Sequence, residues 1–193
     1  MSKKITSLPT IEQVEAEREN LKHKKQYLRA VRSTLSILLV VAAAAVLVAT
    51  LFLPILQVSG SSMEPTLVDG DIIVLEKSDS FETGEMVGFY YQSKILLKRV
   101  IGQPGDYIEV DENGTVYVNG VPLDEPYISE KSLGTCDIEF PYQVPDGRWF
   151  VLGDHRSTSI DSRSSAIGCI KSDQIIGRVV MRIWPLSDIG IFQ

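Results

Sequence analysis

Histidine and cysteine are scarce in this chain, two of each among 193 residues. His23 and His155 lie far apart, and neither stands in ligand spacing with Cys136 or Cys169, so no metal site and no cofactor are expected. A pair of cysteines permits a disulfide that would close a long loop, without establishing one. Internal repeats and low-complexity segments are missing too. Charge is missing altogether from Leu35 to Leu56.

That last absence is the most informative. At roughly 1.5 Å rise per residue, the run is long enough to cross a hydrocarbon core of about 30 Å. A buried core helix would be shorter and would carry a polar stripe. A tail of 33 residues ahead of the span is too long for the n-region of a cleaved signal peptide, which leaves a signal anchor. Pro54 falls near the end of the run, where a break in the helix costs little.

Positive charge is lacking just beyond the anchor. Lys22, Lys24, Lys25, Arg29 and Arg32 crowd its N-terminal side, whereas the nearest cation on the other side is Lys77. The positive-inside rule then divides the chain into a cytoplasmic tail (1–33), a transmembrane anchor (34–57) and an extracytoplasmic domain (58–193). This predicts a single-pass protein of the cell membrane. In the tail, Ile11 to Arg32 mixes Glu12, Glu15, Glu17 and Glu19 with the bases and reads as a polar or interfacial helix, its cations suited to anionic lipid. Residues 1–33 carry 8 Lys/Arg against 4 Asp/Glu, and residues 57–193 carry 11 against 21, so the tail is +4 and the remainder −10. So acidic an exported domain argues against nucleic acid as a partner.

No helical period is sustained past Val58. Short apolar runs alternate with turn signals instead: Ile72–Leu75, Met86–Tyr91, Ile95–Ile101, Tyr107–Val110, Thr115–Val118, Trp149–Leu152 and Ile175–Trp184. Asn113-Gly114 and Asn119-Gly120 are hairpin signals. The pattern predicts a mainly β, barrel-like all-β domain behind a single N-terminal transmembrane helix.

Three segments carry the chemistry. The first, Gly60-Ser61-Ser62-Met63-Glu64-Pro65-Thr66-Leu67, follows the anchor closely and would hold a serine nucleophile at a membrane surface, although a serine in such a turn is more often a turn residue. The second runs from Leu96 to Asp106. On a strand Lys98 shares a face with Leu96 and Val100, and burial there would disfavour its charged form, as a lysine general base requires. The bland alternative is a lysine reaching solvent at a strand edge. The third, Gly153 to Arg163, is dense in polar groups and read alone is a solvated loop with an Asp161–Arg163 ion pair.

Together, and in this order, the segments resemble the bacterial type I signal peptidases. That family has a Ser-Met-x-Pro-Thr-Leu box after its anchor, then a Lys-Arg-Val-x-Gly-x-Pro-Gly-Asp box, then a Gly-Asp-Asn-Arg-x-x-Ser-x-Asp-Ser-Arg box. The match runs from the anchor to the C-terminus and, in the brevity of the chain, is closest to the Gram-positive form. The resemblance implies a serine endopeptidase that removes signal peptides from exported precursors after Ala-x-Ala-like sites. It implies Ser62 as nucleophile, Lys98 as general base, Ser159 as the residue orienting the lysine, and Asp161 and Arg163 as the pair fixing the last loop. The Ser62 N–H would serve the oxyanion.

Two positions depart from the pattern. Gly60 stands where some relatives have a serine that helps bind the oxyanion, and His155 stands in place of asparagine. The histidine raises a Ser-His-Asp alternative, with imidazole as the base. Val58, Met63, Leu67, Leu96 and Leu97 are placed to line shallow apolar substrate pockets, or are simply core. Signal-peptide-bearing precursors and membrane lipid are the expected partners, and a monomer the expected state. A tethered β-domain that binds without cleaving, and a peptidase with one dedicated client, are the competing readings.

Overall fold

The computed structural model describes residues 10–192, so the first nine residues of the expected tail lie outside the described residues. The chain divides into two compact units, the first ending at Ala49 and the second beginning at Thr50. One continuous helix, α1 (Ile11–Phe52), takes in both the charged stretch and most of the apolar run. Among the described residues it is the one helix long and apolar enough to cross a membrane. Pro54 lacks an N–H and disfavours helical geometry at the residue before it, which accounts for the stop. Ile55–Gln57, inside the span expected from sequence, is instead a short strand.

The second unit is mainly β. Its larger sheet has the order β1 (Ile55–Gln57), β2 (Ile72–Glu76), β11 (Ile175–Trp184), β3 (Met86–Tyr91), β4 (Lys94–Gly102), β9 (Arg148–Leu152), β10 (Ile170–Lys171), with β12 (Gly190–Ile191) also on β11. A smaller sheet has the order β7 (Val121–Pro122), β6 (Val116–Val118), β5 (Tyr107–Val110), β8 (Tyr142–Gln143). All seven strands expected from sequence are present, and both Asn-Gly pairs join antiparallel neighbours. Among the described residues no pairing joins β1 to β10, so the larger sheet is an open path and a closed barrel is not found.

Burial explains the apolar runs. Alternate residues of β9 serve two cores: Phe150 and Leu152 pack with Ile101, Ile108 and Val116, while Trp149 and Val151 pack with Val87, Phe89 and Val100. A strand covered on both faces reads as continuous hydrophobicity, which is why Trp149–Leu152 shows no alternation. A third core holds Val58, Met63, Leu67, Ile73, Leu75, Met86 and Val179 beneath the turn that carries Ser62.

Both cysteines are free, Cys136 half-buried and Cys169 buried. Burial pushes the Cys169 thiol up to about 11, so little thiolate is present near neutrality. Thiol titration of the native protein should therefore find Cys136 reacting well before Cys169, and two thiols after denaturation without reductant. Fewer than two thiols after denaturation would mean that the cysteines are bridged.

Candidate active site

Ser62 opens a tight turn, closed by Leu67 N–H donating to the Met63 carbonyl at 2.9 Å, between β1 and β2. Met63 and Leu67 are buried beneath it, so the turn is fastened by its apolar residues and leaves Ser62 half-exposed on top. Lys98 comes from β4, where Val87 of β3 is its register partner. Its side chain is 3 % exposed, and Nζ donates to Ser62 Oγ at 2.7 Å. Burial lowers the ammonium from 10.5 to about 8, outweighing the opposing pull of the Asp161 and Asp154 carboxylates; Arg163 adds to the lowering.

The loop Gly153–Arg163 lies against this pair. Most of it is not solvated: Asp154, Arg156, Ser159, Asp161, Ser162 and Arg163 are all buried, and only Ser157, Thr158 and Ile160 are exposed. Asp161 accepts Gly153 N–H at 3.0 Å and the Arg163 guanidinium at 2.9 and 2.8 Å. Arg163 gives its other three side-chain hydrogens to the carbonyls of Ser132, Leu133 and Arg156, so all five donors are satisfied. Gly153 is required by close approach, since a Cβ there would run into the Ser159 side chain and come within 2.6 Å of the Ser62 carbonyl oxygen. His155 N–H donates to that same carbonyl at 3.1 Å, joining the loop to the serine.

Two further buried pairs were not foreseen. Arg99 gives Nε and Nη2 to Asp154 at 2.9 and 2.5 Å, and Asp154 also accepts the Thr66 hydroxyl at 2.6 Å. That contact ties the serine turn to the loop. Arg156 pairs with Glu125 and gives Nε to the Gly153 carbonyl at 3.0 Å. One signal was available in the sequence: Arg99 lies inside an apolar strand, and a buried arginine needs a carboxylate. Nothing comparable pointed to Glu125.

Other expected roles divide. Ser159 is buried beside Gly153, yet its Oγ has no hydrogen-bond partner and no bond reaches Lys98. His155 Nδ1 is likewise buried without a partner, and its imidazole makes no bond to Ser62; its backbone does. Gly60 N–H is occupied by Asp69 Oδ1 at 2.8 Å, so it is not a spare donor, whereas the Ser62 N–H carries no bond among the described residues. Among the described residues, no group of three or more His, Cys, Asp or Glu is placed to hold a metal ion.

Two clefts meet at Ser62. One, of about 160 Å³, is lined by Leu56, Val58, Met63, Ile95, Leu96 and Leu97. The other, of about 550 Å³, runs past Lys98 between Tyr91, Leu96, Ile160 and Ile167. Four of the five expected pocket residues thus reach a cleft wall. Leu67 does not: at 0 % exposed it belongs to the core below the turn, packed with Ile73 and Leu75.

Residues 30–184 match the family model described as signal peptidase, peptidase S26. Over 151 residues the chain is 38% identical to a signal peptidase IB of Staphylococcus aureus, covering 68% of this chain and 78% of that one. Over 167 residues it is 38% identical to a signal peptidase I of Bacillus amyloliquefaciens, covering 79% and 84%. A crystal structure of a signal peptidase I from Enterococcus faecalis aligns with a TM-score of 0.42 and 30% identity, over 51% of this chain and 96% of that one.

Breaking the loop's ion pair should be costly. Asp161→Asn strands a guanidinium with no exposure, and a loss of about 3–5 kcal/mol is expected in chemical denaturation. Leu67→Ala should cost about 2–5 kcal/mol while leaving KM unchanged, because its side chain lines neither cleft beside Ser62.

Proposed function

The chain belongs to the signal peptidase family, peptidase S26, and from that premise we propose that Ser62 and Lys98 act as a dyad that cleaves signal peptides at Ala-x-Ala-like sites. Membership makes the protein a serine endopeptidase, a hydrolase of signal-peptide-bearing precursors, and its one apolar N-terminal helix fits a single-pass membrane protein. The observation that carries the dyad is the 2.7 Å contact between Ser62 Oγ and a lysine whose burial favours the neutral amine. The division into tail (1–33), anchor (34–57) and extracytoplasmic domain (58–193), with the tail in the cytoplasm, rests on the charge asymmetry about the span.

In this reading neutral Lys98 takes the Ser62 hydroxyl proton as Oγ attacks the scissile carbonyl. The Ser62 N–H donates to the oxyanion of the tetrahedral intermediate. Collapse breaks the C–N bond, the Lys98 ammonium returns its proton to the departing amine, and an acyl-Ser62 ester remains. Water, deprotonated by the same amine, hydrolyses the ester, releases the signal peptide's carboxylate and restores Ser62. Asp161, Arg163 and the loop they hold keep the lysine and serine in register, and Ser159 stands beside them.

The precursor fits as an extended strand. β4 pairs with β9 only from Arg99 onward, which leaves the outer edge of Lys94–Lys98 unpaired opposite Ser59-Gly60. The smaller cleft suits a small side chain next to the scissile bond, with Val58, Met63, Leu96 and Leu97 in its wall. Against a Ser-His-Asp mechanism stands the His155 imidazole, which is not bonded to Ser62.

In lipid or detergent, Ser62→Ala and Lys98→Met should each lower cleavage of an Ala-x-Ala precursor by about 10⁴-fold with the fold intact by circular dichroism. A Lys98→Met enzyme that still cleaves would refute the dyad. Wild-type kcat/KM should rise with pH through a midpoint near 8, as Lys98 loses its proton. Stability should follow the same group. Between about 8 and about 10.5 the unfolded chain binds the lysine proton and the folded chain does not, so stability increases with pH across that window. Lys98→Met removes that penalty and should raise stability at pH 7, by up to about 3 kcal/mol.

A further inference from the structure

Residues 123–134 leave the smaller sheet after β7 and form the first part of the connection to β8, outside all three sequence boxes. On the way they meet every arginine around the Gly153–Arg163 loop. The Tyr127 ring lies over the Arg99 guanidinium, 3.9 Å from Cζ to its centroid. The Tyr127 hydroxyl donates to Glu125 Oε1 at 3.0 Å, and Glu125 in turn holds Arg156, both side chains being 1 % exposed. The carbonyls of Ser132 and Leu133 accept both Nη1 hydrogens of Arg163, at 3.0 and 2.7 Å. Both ends are anchored, because Leu123 and Leu133 pack on the core that Ile108, Val110 and Val116 of the smaller sheet help to form. At Gly134, with φ +59°, a Cβ would come within 2.8 Å of Arg163 Nη1, so the segment lies as close to that guanidinium as a backbone can.

Resting on the Ser62/Lys98 reading, we propose that residues 123–134 are a positioning strap that holds Arg99, Arg156 and Arg163 on their carboxylates and so keeps Asp154 and Asp161 neutralised beside Lys98. The charged groups that act on Lys98 are Asp161, Asp154 and Arg163, all from the loop, while Ser62 faces it from the turn and its strand partner Val87 is apolar. Either carboxylate, left with an unpaired charge, would draw a proton onto the amine and oppose burial. The strap prevents this from the far side. The Tyr127 ring shields the Arg99–Asp154 pair from water and removes the guanidinium's freedom to swing away, and the two strap carbonyls fix Arg163 on Asp161.

Tyr127 is thus a positioning residue, and its test is a pH profile rather than a rate. In the full-length protein in detergent, Tyr127→Met removes the ring and keeps bulk. It should move the acid-limb midpoint of kcat/KM upward by about half a unit, lowering the rate at pH 7 about threefold, with the plateau and KM retained. Tyr127→Phe keeps the ring over Arg99 and should hold the wild-type midpoint. A Tyr127→Met enzyme slowed by one factor at every pH, with its midpoint unmoved, would overturn the strap as a charge-holding device. So would a Tyr127→Phe midpoint shifted as far as that of Tyr127→Met. If Tyr127→Met gives no folded protein, a site-specific protease site inserted after exposed Glu130 and cut after folding replaces it: the same upward shift is expected, and an unmoved midpoint overturns the proposal. Lys98→Met assayed alongside separates the two ideas. Should it cleave, the dyad fails; should it be inert while the Tyr127→Met midpoint stays put, the strap alone fails.

Discussion

Keeping water from the Lys98 amine weakens its hold on a proton, and the groups around it are arranged about that burial. β4 supplies the burial, placing the side chain at 3 % exposure beside Ser62. Burial alone does not suffice, because the loop that locks the serine turn in place brings Asp154 and Asp161 near the amine. Each carboxylate favours the ammonium that burial disfavours. The fold resolves the conflict by giving each its own guanidinium, Arg99 for Asp154 and Arg163 for Asp161.

Those pairs are an expensive solution. Desolvating several charges costs as much as their attraction returns unless the remaining donors and acceptors are also satisfied. Arg163 meets the condition with five acceptors, two of them carbonyls about thirty residues away in sequence. Arg156 and Glu125 complete the set, and Arg156 reaches the Gly153 carbonyl, two residues from the His155 N–H that grips Ser62. The loop therefore gains its rigidity from buried polar contacts rather than from an apolar core.

Much of this was legible in the sequence, and the limits have physical causes. The apolar run and its charged flank announced α1, and short apolar runs between turn signals announced the longer strands. Strands of two or three residues, such as β7, β8, β10 and β12, are too short to show a period, and β1 was hidden because its apolar residues continue the span. Alternation correctly put Lys98 on a buried face with Val100, but it could not bring Ser62 to it across 36 positions; only the order of the three boxes implied that. The polar loop looks solvated because its partners are remote: Glu125 precedes Arg156 by 31 residues, and no local pattern links them. Leu67 was assigned to a cleft because core and pocket draw on the same apolar residues, and only packing separates the two. Openness of the larger sheet was beyond reach for a similar reason, since strand content does not say whether the first and last strands meet.

The unpaired stretch Lys94–Lys98 has a consequence for substrates bound in the proposed way. Main-chain amides and carbonyls along it accept any chain that arrives extended, whatever its side chains, and offer nothing to one that is coiled. Choice by residue type is then left to the clefts beside Ser62, while choice by conformation is made earlier. A precursor bound in this way would have to present the residues around its cut in extended form, beyond the end of any helix. How readily a precursor is processed would then depend as much on where its helix ends as on which small residues follow.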